Sequence, residues 1–184
     1  MFGALCSLLL LLVPALHAQA EKPTGPRKGY IEADVRFMQQ MIGHHGQALL
    51  MTSMIPSHTG NADLRLLGEK IDISQRDEIA SMGRWLRTRG EALPDSGAHH
   101  HELMPGMLTD DEIATLGQAR GSEFDRLFLT FMIRHHEGAL TMVARLFATA
   151  GAAQEPEIAG FATDVDADQR AEIRRMRALL KTSY

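Results

Sequence analysis

Apolar residues recur along this chain at three- and four-residue spacings, and no stretch shows the period-two alternation of a half-buried strand. The pattern predicts an all-α protein. A first helix runs from about Glu32 to Met54, with Pro56 and Gly60 as its stop signals. A second starts near Asn61, a good N-cap residue, and ends before Gly90. A connection follows from about Glu91 to Leu108, and a short helix opens at Thr109, where Thr109-Asp110-Asp111-Glu112 reads as a capping box. A third long helix starts after Ser122 and ends before Gly151. A fourth runs from about Pro156 to Lys181, with proline at a tolerated first-turn position.

The long helices form an internal repeat. Asp34, Phe37, Met41, Ile42, His44, His45, Ala48, Leu49 and Met51 match Asp125, Phe128, Met132, Ile133, His135, His136, Ala139, Leu140 and Met142 without a gap. Gln75, Arg76, Glu78, Ile79, Met82 and Leu86 likewise match Gln169, Arg170, Glu172, Ile173, Met176 and Leu180. The domain is therefore two copies of one helical hairpin. A hairpin with one apolar face must bury it, and two packed hairpins give a four-helix bundle with pseudo-two-fold symmetry. Repeat one spans about residues 30–90, the central connection and short helix about 91–121, and repeat two about 122–184.

The chain ends change the picture next. Residues 1–20 carry a short apolar run, Leu8 to Val13, followed by Ala18-Gln19-Ala20. This reads as a secretory signal peptide cleaved after Ala20, too short to remain as a membrane span. A polar linker, 21–29, precedes the bundle. The expected location is the periplasm or the exterior, with no stable membrane insertion after cleavage. Cys6 lies inside the signal, so the mature chain has no cysteine, which removes disulfides and thiolate chemistry. A net charge of -4, with basic residues scattered among acidic ones, argues against a nucleic-acid partner.

Only 5% of residues are aromatic, yet the chain has 11 methionines and 9 histidines. On the first helix, His45 lies one turn from Met41 and two from Met38, while His44 is near Met41 and two turns from Met51. On the third, Met132 precedes His135 and His136 by one turn, and Met142 follows. Imidazole with thioether is a ligand set for copper, and the thioether favours Cu(I), with Cu(II) and Ag(I) as further candidates. Zinc or non-haem iron would want more carboxylate or thiolate. A methionine stripe is ordinarily core filler and a lone helical histidine ordinarily structural. Two His-His pairs at equivalent places, each flanked by methionines, shift that balance.

Gln75 and Glu78 share a helix face with Ile79, Met82 and Leu86, and Gln169 and Glu172 do the same in the second copy. These polar side chains are expected to point partly inward, where they either hold the imidazoles from behind or form an ordinary salt-bridged layer. In the connection, His99, His100, His101, Met104 and Met107 make an accessory candidate site on a flexible loop.

The segments DVRFMQQMIGHHGQALLM and MPGMLTDDEIATLGQARGSEFDRLFLTFMIRHHEGALTM, with the two QR-x-EI-x-x-M stretches, resemble the family catalogued as domain of unknown function 305. The similarity extends from about Tyr30 to the C-terminus. It implies a ferritin-like four-helix fold, export, and, as in some members, binding of copper or silver in metal resistance. Carried over by motif position, the implied ligands are Met41, His44, His45, Met51, Met132, His135, His136 and Met142. The expectation is an exported copper-binding protein, not an enzyme, that buffers the ion or passes it to other copper-handling proteins. Two other readings stay open. One is a helical interaction module without metal. The other is a ferritin-like di-metal oxidase, disfavoured because Met41 stands where a Glu-x-x-His motif would place glutamate before His44.

Overall fold

The structure, a computed structural model, describes residues 29–94 and 103–183. The signal peptide, nearly all of the polar linker and His99–His101 lie outside the described residues. Among the described residues five helices follow in order: α1 (Glu32–His58), α2 (Ala62–Thr88), α3 (Asp110–Gln118), α4 (Gly121–Ala148) and α5 (Pro156–Ser183). There is no strand among the described residues. α1 packs along α2 and α4 along α5 as two hairpins. α1 and α4 then cross against each other, and α2 and α5 touch more lightly. This is the four-helix bundle of two repeated hairpins, with α3 added in the central connection.

The helix ends show why these segments start and stop where they do. Asn61 Oδ1 accepts from the backbone N–H groups of Asp63 (3.1 Å) and Leu64 (3.2 Å), satisfying two donors that the first turn of α2 leaves free. The capping box at α3 forms: Glu112 N–H donates to Thr109 Oγ1 at 3.2 Å, and Thr109 N–H donates to Glu112 Oε2 at 2.9 Å. One boundary differs from expectation. α1 continues through Pro56 to His58 rather than stopping near Met54. Proline this close to a C-terminus removes a single intrahelical hydrogen bond. The following Thr59 N–H still reaches Ile55 O at 3.2 Å, and Arg65 Nη2 donates to Pro56 O at 2.8 Å, so the last turn is secured from outside.

The repeat is visible in its buried aspartates. Asp34 is fully buried and accepts from Ile31 N at 2.8 Å and from Ala153 N, in the α4–α5 turn, at 2.8 Å. Its counterpart Asp125 accepts from Asn61 Nδ2, in the α1–α2 turn, at 3.0 Å. Each hairpin thus uses an aspartate near the start of its first helix to hold the turn of the other.

The apolar core divides into two clusters. One gathers Phe37, Met38, Met41, Met82, Trp85, Met104, Met142 and Leu146. The other gathers Met51, Ile55, Ile71, Leu108, Phe124, Phe128, Met132 and Met176. Pseudo-symmetry exchanges them, taking Met41 to Met132, Met142 to Met51 and Met82 to Met176. Between them lies a polar layer.

A candidate metal centre of four imidazoles

His44 and His45 on α1, and His135 and His136 on α4, are all buried to within 1% of complete exclusion from solvent. Adjacent helical residues point about 100° apart, so each pair serves two neighbours. The inner members, His44 and His135, meet across the α1–α4 seam with ring centroids 3.8 Å apart. The outer members turn to the second helix of their own hairpin. His45 Nε2 lies 2.5 Å from Glu78 Oε2 on α2, and His136 Nε2 lies 2.6 Å from Glu172 Oε2 on α5. The carboxylates inferred from the face of α2 and α5 therefore do reach the imidazoles.

The hydrogen bonds fix the chemical form of the rings. His44 Nε2 is 3.0 Å from Pro105 O, and His135 Nε2 is 3.1 Å from His44 O. A carbonyl oxygen only accepts, so both Nε2 atoms carry the proton and donate it. An ionised carboxylate also only accepts, so His45 and His136 take the same tautomer. Wherever the ring is neutral, Nδ1 is then left with its lone pair. Among the described residues, none of the four Nδ1 atoms has a hydrogen-bond partner within the protein, nor does the side-chain oxygen of Gln75 or Gln169, each only 1% exposed. Leaving such an atom buried and unpaired costs about 1–3 kcal/mol. His58 provides the contrast. Its Nε2 donates to Gly117 O at 2.9 Å and its Nδ1 accepts from Ser57 Oγ at 2.8 Å, which is what a structural histidine looks like.

Burial keeps the inner imidazoles neutral. The pKa of His44 is pushed down to about 3, chiefly by desolvation, then by electrostatic interaction with His45, against a smaller opposing effect of the Pro105 carbonyl. That of His135 is held well below the usual value, again first by burial and then by His44. A neutral imidazole with a bare nitrogen is the ligating form. A carboxylate or carbonyl on the far nitrogen is the arrangement that orients such a ligand and raises its basicity. On the α2–α5 side, Asp168 has its pKa raised by burial and by the nearby carboxylates of Glu78, Glu172 and Asp164.

The methionines are divided between the two apolar clusters, Met41 and Met142 in one and Met51 and Met132 in the other, with Met142 the least buried at 6% exposure. Of the eight residues expected from the sequence, His44 and His135 meet at the α1–α4 seam, His45 and His136 turn to Glu78 and Glu172, and Met41 and Met132 lie one helical turn before the histidines of their own helices. Among the described residues no three His, Asp or Glu side chains converge with metal-ligand spacing, so the four imidazoles as they stand do not form a ready-made cage of three or more ligands.

The segment before α3 departs from expectation. Met104 and Met107 are not on a flexible loop. Residues 104–108 form a strap laid across the α1–α4 seam. Gln47 clamps it by donating to Leu108 O at 2.9 Å and accepting from Leu108 N at 2.8 Å. Gly106 adopts φ +78°, and a Cβ there would come within 2.3 Å of Arg134 O. A Cβ on Gly138 would meet Pro105 O at 1.8 Å, so only glycine lets the strap lie down. Met104 is 9% exposed and Leu108 1%. The role of Pro105 escaped the sequence reading, although a signal exists. Gln47 and Gly138 are repeat-equivalent positions, and the repeat breaks there because the strap crosses both.

The chain belongs to the family described as domain of unknown function DUF305, whose model matches residues 34–180. No curated protein matches it. Among solved structures it is similar to a DUF305 fragment from Deinococcus radiodurans, at 30% identity and a TM-score of 0.74, covering 83% of this chain and 98% of that one. A DUF305 protein of Streptomyces coelicolor, named as secreted, is 27% identical with a TM-score of 0.73, covering 82% and 92%. CopM in its Cu(II)-bound form is 27% identical with a TM-score of 0.68, covering 82% and 97%, and CopM has also been crystallised with Cu(I) and with silver. No helix among the described residues is long and apolar enough to cross a membrane.

Proposed function

We propose that this protein binds Cu(I), and less tightly Cu(II) or Ag(I), in the four-histidine layer, and that it buffers or hands over the ion as cargo without catalysing a reaction on it. One observation carries the reading: four buried imidazoles, each with Nε2–H engaged and Nδ1 bare, between two pairs of methionines. His44, His45, His135 and His136 supply nitrogen. Met41, Met51, Met132 and Met142 supply the thioethers that favour the monovalent ion. Glu78 and Glu172 orient the outer rings, while Pro105 O and His44 O orient the inner ones. The copper- and silver-bound CopM structures, similar to this chain over most of its length, support the same ion class.

The setting is the cell envelope or exterior, reached through the signal peptide cleaved after Ala20. Intact-mass analysis of protein recovered from that compartment checks this, and a mass still including Leu8 to Val13 contradicts it. The binding itself is tested by anaerobic competition with a chromophoric Cu(I) chelator. The wild-type chain is expected to hold copper tightly. Replacing His44, His45, His135 and His136 by alanine should abolish the tightest site, while replacing His99, His100 and His101 should leave it. Loop residues must be ordered as they bind, whereas packed helices hold their ligands in place beforehand. The opposite pattern assigns the site to the loop.

A further inference from the structure

We propose that Met104 of the strap and Met142 of α4 form a soft-metal exchange site, the place where Cu(I) first meets the protein and last leaves it. The inference rests on the copper reading above and names the route by which that site is filled.

The observations come from the side of the bundle where the strap crosses. A cavity of about 590 Å³ opens there, with Phe37, Met104, Pro105 and Met142 among its lining residues and Arg36 and Arg145 beside them. Met104 and Met142 both line the cavity though they are only 9% and 6% exposed, so they belong to its walls rather than to the open surface. Met104 is fixed in advance. Its carbonyl accepts from Met107 N at 3.1 Å, Gln47 clamps the strap four residues further on at Leu108, and Gly106 seats it against α4. The next residue, Pro105, also lines the cavity, and its carbonyl receives the His44 Nε2 proton. One residue therefore separates the cavity wall from an imidazole of the central layer. Met38, Met41 and Met82 belong to the same buried cluster as Met104 and Met142.

The guanidinium groups of Arg36 and Arg145 sharpen the chemistry. Arg36 lies 3.6 Å from Glu32, so with Arg145 it leaves a net positive rim, which repels a bare cation but favours an anionic complex, and the incoming species is Cu(I) in anionic form, such as its dichloride complex. The exchange balances without redox change: two chlorides leave as two thioether sulfurs bind, and copper remains Cu(I). Sulfur is the fitting donor for this step because it holds Cu(I) while leaving it free to move to nitrogen.

The test is kinetic. Stopped-flow mixing with the Cu(I) chloride complex, and with excess chelator for release, is compared for wild type, Met104→Leu and Met54→Leu. Leucine is close in volume and keeps the packing. Met104→Leu should slow both uptake and release at least tenfold, while Met54→Leu, a partly buried methionine packed on the other cluster, should not change them. A second measurement avoids copper and the central layer. In the variant lacking His44, His45, His135 and His136, silver nitrate should protect Met104 and Met142 from peroxide oxidation, read by mass spectrometry. If wild type binds Cu(I) but Met104→Leu exchanges it at the wild-type rate, or silver leaves Met104 unprotected, the exchange site is wrong and the central site stands. If wild type binds no Cu(I), both fall.

Discussion

His44 and His135 occupy equivalent places in the repeat, yet His44 donates to the strap at Pro105 while His135 donates to the backbone of the opposite helix at His44. Strict symmetry would have each ring donate to the other helix. The strap intrudes on one half only, at the positions where the copies differ: Gln47 clamps it, Gly138 makes room for it, and Arg134, in place of Gly43, grips α3 through Glu112 at 2.6–2.7 Å. A duplicated hairpin thus becomes an asymmetric site by changing the residues that meet a single non-repeated segment. The central imidazoles stay paired while the approach to them is different on the two sides.

Breaking the strap should have the largest effect. Gly138→Val places a branched side chain where Pro105 O now sits, so strap and helix cannot keep their positions. Overpacking of this kind costs about 1–3 kcal/mol, and thermal melting should show it together with faster amide hydrogen exchange across residues 104–108. Unchanged stability and exchange would mean that the strap is held elsewhere.

Acid acts on the inner histidines. His44 and His135 have folded pKa values below those of the unfolded chain, near 6.5, and that of His44 is about 3. The unfolded state therefore binds more protons as pH falls below about 6.5, and stability present above that value is lost on acidification, for His44 over the window down to about 3. The slope is about 1.4 kcal/mol per pH unit for each such imidazole. Melting curves of metal-free protein between pH 7 and about 5 should fall steeply, and a His44→Gln, His135→Gln variant should flatten that fall. A variant as acid-sensitive as wild type would contradict the burial of neutral rings.

The outer histidines give a smaller, chemically specific effect. Glu78→Gln and Glu172→Gln keep the shape but remove the charge that orients His45 and His136. Loss of such a partner costs about 10–100-fold in metal affinity, and by pseudo-symmetry the two substitutions should be nearly equal. Chelator competition measures both, and a change under threefold in each would make these carboxylates bystanders. The smallest effect is expected for Gln47→Ala, which removes two strap hydrogen bonds worth about 1 kcal/mol each. It should raise exchange in residues 104–108 more than it lowers the melting temperature.

Much of this was readable before any coordinates. The repeat, the helical caps at Asn61 and Thr109, and the inward glutamates follow from spacing, because one face of each helix must be buried and polar groups on it need partners. Pro56 misled the first helix end, since a proline in a last turn gives up a single hydrogen bond that outside contacts replace. The strap was not legible as structure. Its position depends on a left-handed Gly106, a side-chain clamp from Gln47 and the missing Cβ of Gly138, which are distant in sequence. Nor could spacing say which ring nitrogen carries the proton, because that is decided by the carbonyl of Pro105, brought in from another segment.

The central claim is that four imidazoles present bare Nδ1 atoms to Cu(I). Long-range proton–nitrogen NMR of histidine-labelled protein reads this directly, because Cu(I) is diamagnetic. Without metal, His44, His45, His135 and His136 should each show a protonated Nε2 and an unprotonated Nδ1, and Cu(I) should move the Nδ1 resonances of these rings while leaving His58 in place. Nδ1 signals that stay fixed while copper shifts only His99, His100 and His101 would contradict the account.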